Sequence, residues 1–495
     1  MLRRSSALAL HNYLMRTSYL CLGLIALLFC AACGTGSSGG GVPGFIPKGN
    51  FSNASLNGQY VYQIEGYDFS SNLNGVPYRE AGVFTANGNG VITSATDDFS
   101  EGSTVFNTVS TGTYNISNDG TGSLSFNNAL GTINLAVTMV SSSKVYLVEG
   151  DTPLNAGGLA EKQDLTAIAD PPSGTFVFRE HDINATQSVG TVGVFTVAGG
   201  IVSNGNEDIN RGGTFSSLTF TGSFNSPDST TGRGTGTFTD TTPSTSTFFY
   251  YIVDANNVRF LSGTVGVVGS GRAELQSGTP ALSGSYAFGS RGDTASLNGV
   301  NMAGRFTASA GAITGGARDS VQDGNSVVNV SFTGTYTQAV NGRALVSLST
   351  VANSNLVVWM VSPTRGLFLI NDPNTVQEGS LDLQQVATFS NSTMNGQFGF
   401  VMDGFDGGGA KDRVGTLQWD GSGKLILNEF TNSAGTINVP VILSGNYAVS
   451  ANGRTGGSIS TLSNNLIFYL ISGSDAYVIQ NDSGVEINGT ISKQH

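Results

Sequence analysis

One spacing limits what this chain can fold into. Gly82, Gly193, Gly304 and Gly415 stand 111 residues apart in matching surroundings. The first three lie in Ala81-Gly82-Val83-Phe84-Thr85, Val192-Gly193-Val194-Phe195-Thr196 and Ala303-Gly304-Arg305-Phe306-Thr307, the fourth in the looser Val414-Gly415-Thr416-Leu417. Other landmarks keep step. Each copy opens on an alternating aromatic pair: Tyr60/Tyr62, Phe176/Phe178, Tyr286/Phe288 and Phe398/Phe400. Thr111-Gly112-Thr113-Tyr114 recurs at Thr221-Gly222-Ser223-Phe224, Thr333-Gly334-Thr335-Tyr336 and Ser444-Gly445-Asn446-Tyr447, and each copy closes on Gln163, Gln276, Gln384 or Gln494. Solenoid repeats run to roughly 20–50 residues, so a unit of this length is a domain in size. The expected organisation is four β-repeats at 51–165, 166–278, 279–386 and 387–495. They would lie as beads on a string, with joins near Asp170-Pro171-Pro172, Gly278-Thr279-Pro280 and Thr388-Phe389-Ser390.

The pattern within a copy is that of strands. Tyr60, Tyr62 and Ile64 alternate with Val61, Gln63 and Glu65, and Asn87-Gly88-Asn89-Gly90 and Asn118-Asp119-Gly120 are hairpin turn sequences. Eight strands are predicted in the first copy, at 57–65, 79–86, 91–98, 109–117, 121–127, 132–140, 144–150 and 157–163. Short turns favour sequential antiparallel neighbours, and eight of them can close and so remove exposed edges. The fold class is therefore all-β, four tandem antiparallel units, most simply up-and-down β-barrels, with β-sandwiches as the alternative. In length and strand count the unit resembles avidin- and lipocalin-type barrels at fold level, without a lipocalin Gly-x-Trp opening or a biotin-site set. The sixth strand is apolar on both faces, as in Phe248-Phe249-Tyr250-Tyr251-Ile252-Val253 and Leu356-Val357-Val358-Trp359-Met360-Val361. Such a strand packs between units or forms an exposed stripe for a partner.

Composition narrows the function. Cys21, Cys30 and Cys33 are the only cysteines, so the body after Cys33 has no disulfide, thiolate nucleophile or Cys-ligated metal. The formal net charge is -12, and since residues 1–32 hold three Arg and no acid, residues 33–495 carry -15. Such a surface repels phosphate backbones, which excludes nucleic acid as a partner.

The N-terminus places the chain. Arg3, Arg4 and Arg16 precede the apolar run Leu20 to Phe29, too short to span a bilayer, and the run ends in Cys30-Ala31-Ala32-Cys33-Gly34. Small residues before a Cys resemble the lipobox of bacterial lipoproteins. The resemblance implies a signal peptide over 1–33, lipidation of Cys33, and a bacterial envelope location, outer membrane by the sorting pattern of Gly34. Cys30 stands where the family usually has Leu, and Met15 offers an alternative start. Residues 34–50, rich in Gly and Ser, form a flexible tether.

No catalytic constellation is evident. His181, in one copy only, reads as a loop residue, and the adjacent pairs Asp97-Asp98 and Glu207-Asp208 are poor glycosidase candidates because neighbours on a strand point to opposite faces. The acids do form columns: Asp68, Asp182, Asp293 and Asp406 after the first strand; Asp98, Asp208, Asp319 and Glu429 ending the third; Asp151, Asp372 and Asp482 after the seventh, with Thr264 in the second copy. On one rim of a barrel they could bind Ca²⁺, or simply start turns. Arg291-Gly292-Asp293 spells an integrin-type tripeptide within the first column and is incidental. The expected function is a non-enzymatic, lipid-anchored envelope or cell-surface protein, a multivalent binding, adhesion or structural module for a glycan, matrix or envelope protein partner. The alternatives are a barrel enclosing a small apolar ligand within its aromatic pairs and, third, a carboxylate-based glycosidase.

Overall fold

The computed structural model describes residues 49–70, 72, 75–101, 104–127, 132–184, 187–242, 244–278, 280–294, 297–349, 355–407, 409–459 and 464–495. The signal peptide, Cys33 and nearly all of the tether lie outside the described residues.

Each repeat is a closed barrel of eight antiparallel strands paired in chain order. The barrels span 57–162, 174–275, 284–383 and 395–493. In barrel 1 the strands are Asn57–Asp68, Val76–Asn87, Val91–Glu101, Thr104–Ile116, Thr121–Asn127, Thr132–Ser141, Lys144–Glu149 and Leu154–Lys162, close to the sequence-derived set. The turn glycines adopt the left-handed conformation that hairpins need, with φ of 77° at Gly88 and 85° at Gly120.

The repeated glycine has a steric cause. A Cβ on Gly82 would come within 2.7 Å of the Tyr62 ring and of the Thr96 carbonyl; on Gly193 and Gly304 it would strike the Phe178 and Phe288 rings, and on Gly415 the Asn428 carbonyl. In the first three copies the second aromatic of the opening pair thus lies flat over the next strand. Filling follows from this. Tyr60 stacks on Phe84 at 5.4 Å and Tyr62 on Phe126 at 5.9 Å. Phe178, Phe195, Phe220, Phe224, Phe238, Phe248 and Phe260 occupy barrel 2, and Trp419 packs against Tyr447 and Phe468 in barrel 4. Lead-in residues join these cores: Leu56, Ile168, Leu282 and Met394. The aromatic pairs and their neighbours are buried in the four barrel cores, as in small eight-stranded barrels whose interiors side chains fill.

The barrels are not beads on a string. Strands 1–3 of each barrel face strands 6–8 of the next, and strands 1–3 of barrel 4 face strands 6–8 of barrel 1. This head-to-tail contact closes after four copies into a ring. The doubly apolar sixth strand is the reason: one face fills its own barrel and the other packs on the neighbour. Val61, Ala81 and Val83 meet Tyr251, Val253 and Leu261. Val177, Val192 and Val194 meet Val357, Trp359, Leu367 and Leu369. Ala287, Ala303 and Val321 meet Ile467, Tyr469 and Ile479, while Val401 and Val414 of barrel 4 close on Val140, Tyr146 and Val148 of barrel 1.

The closing glutamines pin each joint. Gln163 Nε2 donates to the carbonyls of Thr231 and Ile252, Gln276 to Asn341 and Met360, and Gln384 to Asn452 and Leu470. Gln494 donates to Asp119 and Met139 of barrel 1, and the His495 amide donates to the Val140 carbonyl. The C-terminus therefore locks the ring onto its first member.

Candidate functional site

Where the four barrels meet there is a cavity of about 630 Å³. Its wall comes from the outward faces of strands 1, 7 and 8, the faces opposite the aromatic cores. Ionisable side chains crowd there in a chain that is only 11% charged. Arg291 of barrel 3 bonds to Glu65 of barrel 1 and Asp403 of barrel 4. Arg179 of barrel 2 donates to Glu378 of barrel 3 at 2.8 Å, and Arg259 bonds to Glu161 of barrel 1. Arg365 of barrel 3 donates to both oxygens of Glu274 of barrel 2 and both of Asp382. Burial acts to raise the carboxyls of Glu65 and Glu274, yet Arg291 and Arg79 for the first, and Arg365 and Arg272 for the second, hold them well below the ordinary range. Both are ionised at neutral pH.

His181 belongs to this network and not to a loop. It lies within the strand Gly174–Asn184, is buried, and bridges two barrels: Nδ1 lies 2.9 Å from Glu378, and Nε2 lies 3.1 Å from Asp293 and 3.0 Å from Ser188 Oγ. Burial alone would favour the neutral ring, but Glu378 and Asp293 outweigh it and raise its pKa to about 10. The Arg291-Gly292-Asp293 tripeptide is likewise turned inward, Arg291 to Glu65 and Asp403 and Asp293 to His181.

Cross-strand register sets three arginines side by side. Arg259 lies opposite Arg272, and Arg272 opposite Arg179. Arg272 Nη2 donates to Ser380 Oγ of barrel 3 at 2.7 Å. Burial and the neighbouring Arg179, Arg365 and Arg259 charges lower the Arg272 pKa, against Glu274.

The acidic columns are dispersed. Asp98, Asp208 and Asp319 are not at strand ends: their strands run Val91–Glu101, Ile201–Arg211 and Ala312–Gln322, and all three carboxylates face the next barrel. Arg233 grips Asp98 at 2.6 and 2.8 Å, Arg343 grips Asp208, and Arg454 grips Asp319 at 2.7 and 2.8 Å. A ring donor joins each: Tyr251 at 2.6 Å, Trp359 Nε1 at 2.8 Å and Tyr469 at 2.6 Å. The fourth member, Glu429, lies 3.8 Å from Arg413 of its own barrel. The acids leave the predicted rim for a simple reason: these strands run about three residues longer than their alternation suggests. Asp97, beside Asp98, points inward to Tyr62, so this pair does face opposite ways.

The other columns serve local geometry. Asp151 accepts from the Asn134 amide at 2.5 Å and Asp482 from the Asn465 amide at 3.0 Å, while Thr264 Oγ1 accepts from Thr247 in the second copy. An acceptor there fixes the start of the sixth strand, which is why Thr can replace Asp. Asp372 sits on the turn that bridges to Thr375. Asp68 accepts from Ser70, and Asp406 pairs with Lys411 at 2.8 Å. Asp182 is half-buried on the first strand of barrel 2, where desolvation raises its pKa to about 6 against His181, Arg79 and Arg211. Among the described residues, no three His, Cys, Asp or Glu side chains gather in an arrangement able to hold a metal ion, and no helix is long and apolar enough to cross a membrane.

No protein-family model matches the chain, and the search of curated proteins finds no match. Among solved structures, similarity is found to a mutant of the vaccine antigen Transferrin Binding Protein B from Haemophilus parasuis, 8% identical, covering 72% of this chain and 85% of that one, with a TM-score of 0.17. Isotype 1 Transferrin Binding Protein B from serogroup B Neisseria meningitidis is 9% identical, covering 71% and 84%, with a TM-score of 0.19. A protein of unknown function from Nostoc punctiforme is 10% identical, covering 55% and 95%, with a TM-score of 0.12. Such scores carry no functional argument, so function has to be inferred from the chain's own geometry.

Proposed function

We propose that this chain is an exported, non-enzymatic binding protein of the bacterial envelope. An acyl group on Cys33 anchors it, residues 34–50 tether it, and the ring of barrels holds a partner molecule at the polar cavity on its axis. The observation that carries this reading is the contrast between apolar barrel cores and a cavity of about 630 Å³ between barrels, lined by ionisable groups from all four. Multivalency takes a different form from linked independent modules: the axial site is shared, and only the outer faces repeat. Glycan, matrix and envelope protein all remain candidate partners.

Two experiments test it. Metabolic labelling with a palmitate analogue is expected to mark the wild-type chain and not Cys33→Ala, whose product leaves the membrane fraction. The full chain in detergent, screened on a glycan array and against envelope extracts, is expected to retain a partner that Thr490→Trp, a bulky group on the cavity wall, releases. Binding indifferent to Thr490→Trp would move the site off the axis. The calcium reading of the acidic columns has its own check: Asp98, Asp208 and Asp319 already hold arginines, Asp406 holds a lysine and Asp151 and Asp482 hold amides, and calorimetric titration with Ca²⁺ is expected to give no heat.

A further inference from the structure

We propose that the row Arg179, Arg272 and Arg259, with Arg365 beside it, is an oxyanion-binding site, a place on the axial cavity wall for a sulfate, phosphate or carboxylate group of the ligand. This inference rests on the axial cavity being the binding site.

Electrostatics gives the row its first significance. Directly opposed like charges on neighbouring strands are destabilising, and here three cations share one cross-strand line. Arg272 stands in the middle, and Glu274, its nearest carboxylate at 3.1 Å, also serves both N–H groups that Arg365 extends toward it.

The internal repeat supplies an independent comparison. The same three-residue line exists in every barrel. It reads Gln63, Leu159, Tyr146 in barrel 1; Gly289, Ser380, Leu367 in barrel 3; and Val401, Thr490, Tyr477 in barrel 4. Three copies build the same barrel and the same ring with neutral residues at these positions. Neither architecture requires the arginines, so their presence in barrel 2 has another cause.

The arginines are also available to a ligand. A guanidinium offers five N–H groups in a planar fork suited to oxyanions. Arg179, Arg259 and Arg272 each make one hydrogen bond among the described residues, to Glu378, Glu161 and Ser380. The Arg179 and Arg272 side chains keep 20% and 18% of their surface exposed although they lie where the four barrels converge. Water reaches them through the cavity, whose volume of about 630 Å³ leaves room for an oxyanion as well.

The test uses the full chain in detergent. Thermal melting and calorimetry are run with sodium sulfate, phosphate and citrate against sodium chloride at equal ionic strength. The expected result is saturable binding of one oxyanion per chain and a matching rise in Tm that chloride does not give. Arg272→Gln is expected to weaken binding by about tenfold or more, while the anion-free variant melts no lower than wild type because a repulsion has gone. Should that variant fold poorly, the double change Arg259→Leu with Arg272→Ser copies residues that barrel 3 already carries on this line, and is expected to fold and to lose the anion. Equal responses to oxyanions and chloride, or a fall in stability of both variants with unchanged anion binding, would show the row to be an ion-pair lattice and overturn the proposal. Oxyanion indifference in a chain whose partner is still released by Thr490→Trp would reject this inference and leave the axial site standing.

Discussion

Asp98, Asp208 and Asp319 illustrate how single residues assemble the ring. Each carboxylate is wholly buried between barrels, where an unpaired charge is costly, and each is neutralised by a two-pronged guanidinium and a ring donor from the next copy. Asp98→Ala removes the counter-charge of Arg233 and the acceptor of Tyr251, and is expected to cost about 3 kcal/mol, read from the denaturant midpoint. His181 supplies a pH dependence of defined sign. Its folded pKa of about 10 lies above the unfolded value of 6.5, so its contribution is complete below pH 6.5 and disappears as pH rises through 10. His181→Gln, still within reach of Glu378, Asp293 and Ser188, is expected to flatten the decline of stability across that window; an unchanged slope would remove His181 as its source. At this scale the sequence was legible for the glycine and glutamine columns, whose spacing is their signal. It misplaced His181 and the third-strand acids because their partners sit 112–197 residues away.

Among the elements, the joint between barrels 4 and 1 stands apart. Strand 5 begins with Arg233, Arg343 or Arg454 in copies 2–4 and with Thr121 in copy 1; the residue opposite on strand 6 is Tyr251, Trp359 or Tyr469, and Thr138 in copy 1. The clamp is therefore absent where no peptide link joins the barrels. Side-chain amides hold that joint instead: Gln494, Gln397 to the Asp119 carbonyl, Asn155 to Asn432, and Asn432 to Glu149 and Leu154. Gln494→Ala is expected to cost roughly 1–2 kcal/mol and to speed amide exchange around 138–141. Gln384→Ala, at a clamped and covalently continuous joint, is expected to leave exchange at its own joint near wild type. Equal opening of the two joints would remove the distinction. Strand count was readable from turn chemistry and alternation, and the short turns favoured the sequential order that the barrels adopt. The outward destination of the sixth strand was readable only as two possibilities, since an apolar face does not name what covers it.

The whole molecule is shaped by the closure of a head-to-tail contact. A barrel taken alone would bare the faces that the ring buries. Barrel 3 would expose Val357, Trp359, Leu367 and Leu369 on one side and Ala287, Ala303 and Val321 on the other, each large side chain forfeiting about 1.5–3 kcal/mol of burial. Residues 279–386 expressed alone are expected to aggregate on gel filtration, while the full chain melts in one transition; a monomeric, equally stable single barrel would show the joints to be dispensable. The sequence by itself determined the repeated unit, its all-β character and its eight strands, and favoured a meander over a sandwich, because hairpin turns and alternating side chains act over a few residues and recur at a fixed period. Only the tertiary structure decided that the four units close on one another, that the acids of the third strands become clamps, and that three arginines far apart in the chain, Arg179, Arg259 and Arg272, fall on one line. Those relations depend on the rotation each joint imposes between barrels and on the register of strands that meet only when a barrel shuts, and neither is written in any local stretch of sequence.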